Sequence, residues 1–116
     1  NTPMQHGLAR FMADASQADT LSAFYQRKRD LFRTGLAQTR FKLLPCEGSY
    51  FQCVEYGAIS DLPDDDFCRW LTTEVGVAAI PLSAFHAMQP PTPLIRICFA
   101  KKDETLNAAL ARLARL

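Results

Sequence analysis

The sequence lacks both an excess of charge of one sign and any long apolar run. Its 116 residues carry a formal net charge of +1, and the spread of the basic residues gives no electrostatic indication of nucleic-acid or anionic membrane binding. The longest apolar stretches, such as residues 77–82, are far shorter than a bilayer requires, and the first residues do not resemble a secretory signal. We therefore expect a single cytoplasmic domain with a modest core.

Cysteine and histidine are also scarce. The chain has four cysteines and two histidines, and their wide, irregular spacing does not match a zinc site, so no metal is expected. Three of the cysteines lie in apolar runs, which favours reduced thiols packed in the core. Cys46 lies beside a turn and is the one that we expect to be exposed. The others are Cys53, Cys68 and Cys98.

The amino-terminal residues 1–37 are predicted to be a helical lead-in. Leu8, Phe11 and Met12 have helical spacing directly after a start without methionine, with Thr2 as the expected cap. This is typical of the interior of a longer polypeptide. A second helix is predicted to open near residues 19–20. We expect its apolar side to be buried, and this side comprises Leu21, Phe24, Tyr25, Leu31 and Phe32. We expect its polar side to be solvated, and this side comprises Gln26, Arg27, Arg29, Asp30 and Arg33.

Residues 38–116 are predicted to contain the sheet and further helices. Residues 41–44 and 50–56 favour two strands, and the short turn between them predicts a hairpin. A third helix is expected after Pro63, with acidic residues 64–66 capping its backbone amides rather than holding a metal, and with Gly76 after its end. Residues 77–80 predict a buried strand that stops at Pro81, and residues 83–93 predict a proline-rich loop.

The most informative stretch is residues 94–101, an apolar strand interrupted by Arg96. Strand alternation puts Ile95, Ile97 and Phe99 on a core-facing row and places Arg96 on the opposite row. A final helix should begin at a capping Asp103 and bury a leucine stripe. The order of elements predicts an α/β (α+β) fold with a short sheet covered by helices.

Arg96 needs a partner, because a guanidinium among apolar side chains carries a desolvation cost unless a carboxylate or phosphate meets it. The partner is either structural or a substrate. Structural candidates, on sequence alone, are Glu47, Glu55 and Glu74.

Three further stretches resemble the carboxy-terminal region of class I/II, fold-type-I pyridoxal-phosphate-dependent aminotransferases. They are PCEGSYF at residues 45–51, GVAAIPLSAF at residues 76–85 and IRICFAKK at residues 95–102. The segments NTPMQ at residues 1–5 and YQRKRD at residues 25–30 are similar to the same proteins. The resemblance covers essentially the whole chain, and its nearest branch is that of the methionine and kynurenine aminotransferases.

The resemblance implies roles for specific residues. It implies that Arg96 binds the substrate α-carboxylate and that Phe51 contacts the substrate, with Gly48 and Tyr50 as further candidates at the border of the pocket. The loop at residues 81–85 is expected to approach the site. The four lysines of the chain do not lie in the context that the family uses for its Schiff-base lysine. The fragment alone is therefore expected to be inactive.

The resemblance thus implies the small C-terminal domain of an aminotransferase, with an adjoining helix. The cofactor domain would lie elsewhere in the same chain, bind pyridoxal 5'-phosphate and complete a homodimer acting on amino acids and 2-oxo acids. The alternative is a free-standing, non-catalytic domain that binds amino acids or another protein. The length of the native polypeptide distinguishes the two.

Overall fold

The computed structural model describes residues 1–88 and 93–116. The chain has an α+β fold in which helices cover a short antiparallel sheet, as the order of elements predicted. Residues 89–92 of the expected proline-rich loop lie outside the described residues. Within the described ranges, no helix combines the length and apolar character needed to cross a membrane.

Three helices form the first third of the chain: α1 (Thr2–Met12), α2 (Ser16–Asp19) and α3 (Leu21–Leu36). The cap of α1 is Asn1 rather than Thr2, because the Asn1 Oδ1 atom accepts a hydrogen bond from the Met4 N–H at 3.4 Å. None of the residues of α1 is buried, and Phe11 and Met12 are 58% and 70% exposed. The apolar stripe of α1 is therefore an open surface.

The second half of α3 lies against the core. Phe32 and Leu36 are fully buried, whereas Leu21 and Phe24, which the pattern placed on the buried side, remain about half exposed. The prediction for the first turns of α3 was therefore wrong. Apolar periodicity identifies a helix face, but only the residues that reach the sheet and the last helix of the chain become buried.

The polar side of α3 was predicted to be solvated, and this was wrong for Arg29 and Arg33. The Arg33 Nη1 atom donates to the Leu44 carbonyl at 2.9 Å and to the Gln52 Oε1 atom at 2.6 Å. Arg29 donates to the Cys46 carbonyl at 3.3 Å. Both arginines are half-buried because carbonyls at the turn after the first strand need donors.

The sheet contains β1 (Lys42–Leu43), β2 (Phe51–Glu55), β3 (Ile80–Pro81) and β4 (Leu94–Cys98), in the spatial order β1-β2-β4-β3. All neighbouring strands are antiparallel. β1 and β2 pair through Lys42 opposite Glu55, which confirms the predicted hairpin. β2 and β4 form the longest pairing, and their even- and odd-numbered residues alternate between a buried and a half-buried row.

The prediction of a buried strand over residues 77–80 that stops at Pro81 was wrong. β3 includes Pro81, and Ile80 is 42% exposed, although Val77 is buried. Within residues 1–88 and 93–116, β3 is an edge strand that pairs only with β4. An edge position tolerates proline because its missing N–H faces away from the partner strand.

The third predicted helix is divided into α4 (Asp64–Trp70) and a π-helical turn (Leu71–Val75). Gly76 ends it in the left-handed conformation, with φ of 73°, which favours glycine. The acidic start was predicted to cap the backbone of this helix. Asp64 instead is buried, and its carboxylate bonds to Ser83, outside α4.

The last helix, α5 (Asp103–Leu113), buries Leu106 and Leu113 as predicted. Asp103 was expected to cap this helix, and this was wrong. Its carboxylate instead bonds to Lys28 at 2.6 Å and to Arg27 at 2.8 Å, and so connects α5 to α3. The pull of two cations explains why the carboxylate turns away from its own backbone amides.

The two faces of the sheet differ. The core-facing row includes Val54, Ile95, Ile97 and Phe99, which are at most 3% exposed and pack with residues of α3, α4 and α5. On the opposite face, Phe51, Cys53, Leu94, Arg96 and Cys98 are only half-buried. The alternation predicted for the Arg96 strand is confirmed, and the arginine lies on the more open face.

Candidate functional site

Arg96 lies in the middle of β4, flanked on both sides by paired strands. Cys53 is its partner on β2, and Ile80 is its partner on the edge strand β3. Antiparallel pairing brings these cross-strand side chains close together on one face of the sheet. The arginine therefore rises from a regular, hydrogen-bonded platform, which fixes the position of its Cα atom.

Two aromatic rings contact the guanidinium group. The Arg96 Cζ atom lies 4.8 Å from the centre of the Phe51 ring and 4.7 Å from the centre of the Phe85 ring. Both distances are in the range of cation–π contacts. The planar N–H groups of a guanidinium match the two oxygens of a carboxylate.

The structural ion pair considered for Arg96 is not seen in the part of the chain that the structure describes. Glu55 instead pairs with Lys42 at 3.0 Å, and Glu47 and Glu74 are exposed. Among residues 1–88 and 93–116, no carboxylate lies within 4.0 Å of Arg96. The positive charge is thus set between aromatic rings rather than against an acidic side chain.

Phe85 is the contact that the sequence did not identify. It ends a short 3₁₀ turn (Ser83–Phe85) after β3, and its side chain is 61% exposed. The loop containing it was expected to approach the site, but no residue in it was expected to contact Arg96. The available sequence signal was an aromatic residue in an irregular segment that has no strand or helix periodicity, because core packing does not account for a phenylalanine there.

Tyr50 and Gly48 occupy a neighbouring position. The Tyr50 ring packs edge-on against Phe51, with centres 5.5 Å apart. Both Tyr50 and Gly48 line a cleft between the start of α3 and the β1–β2 connection, together with Arg29 of α3. Phe51 therefore contacts Arg96 directly, and Tyr50 contacts Phe51. Gly48 lines the neighbouring cleft.

The backbone at this connection is unusual at Ser49. Its φ is 84°, which makes it the one non-glycine residue with positive φ in the described residues. A residue with a side chain is strained in this region. The strained position lies between Gly48 and Tyr50, two of the candidate site residues, and immediately precedes the strand that carries Phe51.

The cysteines only partly follow the prediction of core burial. Cys68 is buried, and burial, with Asp64 and Asp65 nearby, raises its pKa to about 12. Cys53 and Cys98 are half-buried on the Arg96 face, so core packing was wrong for them. Burial raises the pKa of Cys53, Cys46 raises it further, and Arg96 opposes the change.

The sequence matches a known protein family. The family model described as "Aminotransferase class I and II" matches residues 1–113. The chain belongs to the class I and II aminotransferases. This family generally uses pyridoxal phosphate and acts on amino acids and 2-oxo acids.

Several aminotransferases are similar to this chain. Methionine aminotransferase of Escherichia coli is 51% identical over an alignment of 117 positions that covers all of this chain and 30% of that protein. A probable N-succinyldiaminopimelate aminotransferase of Mycobacterium tuberculosis is 36% identical over an alignment of 98 positions that covers 77% of this chain and 25% of that protein. Kynurenine–oxoglutarate transaminase 3 of Rattus norvegicus is 30% identical, covering 93% of this chain and 28% of that protein.

Solved aminotransferase structures share the fold. An Escherichia coli crystal structure reported with a methionine aminotransferase function has a TM-score of 0.92 at 51% identity, covering all of this chain and 31% of that chain. The N-succinyldiaminopimelate aminotransferase of Mycobacterium tuberculosis has a TM-score of 0.77 at 35% identity, covering 93% and 28%, respectively. The chain thus spans about 30% of the length of the aminotransferases that it matches.

The four lysines of the chain have different surroundings. Lys28 is buried in its bond to Asp103, and Lys42 pairs with Glu55. Lys101 and Lys102 are exposed before α5. No cluster of three or more metal-ligating side chains is found in the described ranges either. The donor set therefore suits a carboxylate at Arg96 and does not by itself suit pyridoxal phosphate.

Proposed function

We propose that this chain is the C-terminal part of a pyridoxal-phosphate-dependent aminotransferase and that Arg96 binds the α-carboxylate of its substrates. The complete enzyme transfers an amino group from a methionine-like, aromatic or kynurenine-like amino acid to a 2-oxo acid. The observation that carries the proposal is the half-buried Arg96 guanidinium, held at 4.7–4.8 Å from two aromatic rings on the open face of the sheet.

The chemistry of this site is positioning. Two parallel N–H···O bonds from a planar fork fix both the location and the rotation of a carboxylate. A substrate held at that end has its α-carbon restricted to a small region, which lowers the entropic part of the activation barrier. Bound pyridoxal phosphate supplies the electron sink for the transfer, and the residues that hold it lie outside these 116 residues.

Phe51 has two roles in this proposal. Its ring contacts the guanidinium, and its position on β2 next to the Tyr50 ring provides an apolar wall for the substrate side chain. Tyr50 and Gly48 line a neighbouring cleft, whose other lining residues include Arg29 and Glu47. The rings of Phe51 and Tyr50 fit a methionine-like or aromatic side chain.

The wider organisation is part of the same proposal. Residues 1–116 form the small C-terminal domain with an adjoining helix, and the large cofactor domain belongs to the same polypeptide. The complete protein is a homodimer. Its location is cytoplasmic, and the free thiols of all four cysteines support a reducing compartment.

The first experiment compares Arg96→Ala with the unchanged protein, expressed from the complete reading frame. We expect Arg96→Ala to raise KM and to lower kcat/KM by about 100-fold for every amino acid donor, because charge-assisted hydrogen bonds are lost. The visible absorbance of bound pyridoxal phosphate should be unchanged. Arg69→Ala, an exposed arginine that pairs only with Asp66 within the described residues, is the matched control.

Two results would overturn the proposal. One is unchanged kinetics in a correctly folded Arg96→Ala protein. The other is a native polypeptide of only 116 residues that shows no absorbance change when L-methionine is added in the presence of pyridoxal phosphate. The second result would instead favour a free-standing amino-acid-binding or interaction domain.

A further inference from the structure

The buried carboxylate of Asp64 bonds to a loop rather than to its own helix. Its Oδ2 atom accepts from the Ser83 N–H at 2.8 Å, and its Oδ1 atom accepts from the Ser83 hydroxyl at 2.7 Å. Asp64 is 6% exposed, and α4 has no side-chain cap. Burying a carboxylate is costly unless it is hydrogen-bonded, so both oxygens are committed to this one residue.

Ser83 opens the 3₁₀ turn that ends at Phe85. The turn is also held by the bond from the Leu82 N–H to the Leu94 carbonyl at 3.3 Å and by the bond from the Phe85 N–H to the Leu82 carbonyl at 3.0 Å. The Phe85 ring itself is 61% exposed. Its location over Arg96 therefore depends on the backbone of the turn rather than on packing around the ring.

We propose that Asp64 is a positioning residue that acts through Ser83 to hold the Phe85 ring on the Arg96 guanidinium. This inference rests on the proposed role of Arg96 in carboxylate binding. An arginine side chain has many rotamers, and ordering it in advance reduces the entropic cost of binding. Asp64 thereby contributes to substrate affinity without contacting the substrate.

The neighbouring carboxylates provide the contrast. Asp65 and Asp66 lie in the same acidic run at the start of α4, but both are exposed, and Asp66 pairs with Arg69. They share with Asp64 any favourable interaction with the helix dipole. Only Asp64 contacts the turn that carries Phe85. Asp65→Ala is therefore a matched control for Asp64→Ala.

The test measures a double-mutant cycle in the complete enzyme. We expect Asp64→Ala and Phe85→Leu each to raise KM for L-methionine by about 3- to 30-fold, with a smaller change in kcat, because each loses one cation–π contact on Arg96. In the double variant, Asp64→Ala should add little to Phe85→Leu, since both act through the same ring. Asp65→Ala and Phe24→Leu should leave KM unchanged.

A second readout separates positioning from loss of stability. Inhibition by 4-(methylthio)butanoate, which carries the carboxylate but no amino group, should weaken in Asp64→Ala in parallel with KM. Inhibition by 3-(methylthio)propylamine, which has no carboxylate, should not change. Ser83→Ala removes only the hydroxyl bond and should give a smaller effect in the same direction, which keeps the test decisive if Asp64→Ala does not fold.

The outcomes identify which proposal fails. Additive effects of Asp64→Ala and Phe85→Leu, or equal weakening of both inhibitors, would overturn the positioning role of Asp64. If Arg96→Ala raises KM while Asp64→Ala, Ser83→Ala and Phe85→Leu do not, the positioning role fails and carboxylate binding by Arg96 stands. If Arg96→Ala itself leaves KM unchanged, the proposed function fails.

Discussion

The guanidinium carbon of Arg96 lies 4.7 Å from the centre of the Phe85 ring, although the two residues belong to different elements. One is fixed in the central pairing of the sheet, and the other is at the end of a short turn. The site is therefore formed by a residue of the sheet and a residue of a loop.

Arg96→Lys should behave as an intermediate variant. Lysine keeps the positive charge but loses the planar fork and much of the stacking on aromatic rings. We expect kcat/KM for L-methionine to fall by about 10-fold, compared with a larger loss in Arg96→Ala. Steady-state kinetics of the complete enzyme measure this. An Arg96→Lys protein as active as the unchanged enzyme would show that the fork geometry is not required.

Tyr56→Phe should lower the free energy of unfolding by about 1 kcal/mol at neutral pH. The Tyr56 hydroxyl donates to the Leu62 carbonyl at 2.7 Å, while its ring stacks on Phe67 with centres 4.0 Å apart. Phenylalanine keeps the stack and removes only the hydroxyl. Urea unfolding of the complete protein measures the difference, and an unchanged midpoint would contradict it.

Tyr56 should also make the fold sensitive to alkali. Burial raises its pKa to about 12, with Asp64, Cys68 and Asp65 nearby raising it further. The unfolded tyrosine ionises near its usual pKa of about 10, so its contribution to stability is complete below that pH and is lost as the pH rises towards 12. The Tm of Tyr56→Phe, measured by thermal unfolding, should therefore fall less steeply between these pH values than the Tm of the unchanged protein.

Asp103→Asn should destabilise the contact between α3 and α5. The hydrogen bonds from Lys28 and then Arg27 lower the pKa of Asp103, so its ionised form stabilises the fold. The contribution is present above the usual carboxyl pKa of about 4 and is lost as the pH falls through the lower folded-state value. The Tm difference from the unchanged protein should shrink on acidification. Glu104→Gln, at the exposed neighbouring position, is the control.

Gly76→Ala should destabilise the fold, whereas Gly7→Ala should not. Gly76 has φ of 73°, and an added Cβ there would meet the Arg112 guanidinium, which bonds to the Gly76 carbonyl at 2.8 Å. We expect Gly76→Ala to cost about 1–2 kcal/mol of stability. Gly7 lies in α1 with nothing within 4 Å of an added Cβ, so alanine should be neutral or stabilising there. Equal Tm values for the two variants would contradict this.

The sequence alone determined most of the elements. Apolar periodicity identified the last helix with its buried Leu106 and Leu113, and alternation placed Arg96 on the row opposite Ile95 and Ile97. These patterns are local, because side-chain direction repeats with a fixed period within each element. The motifs around residues 45–51, 76–85 and 95–102 also indicated the aminotransferase family, which the comparisons confirm.

The tertiary structure decided which polar groups meet. Asp103 and Asp64 were both expected to cap helices, but Lys28 and Ser83 from distant parts of the chain bind them instead. Likewise, only the folded chain brings the exposed Phe85 onto Arg96. The period of one element does not reveal an ion pair or a contact with an exposed ring, since the partner depends on contacts between residues far apart in the sequence. The sequence therefore indicated the arginine, and the fold determined what surrounds it.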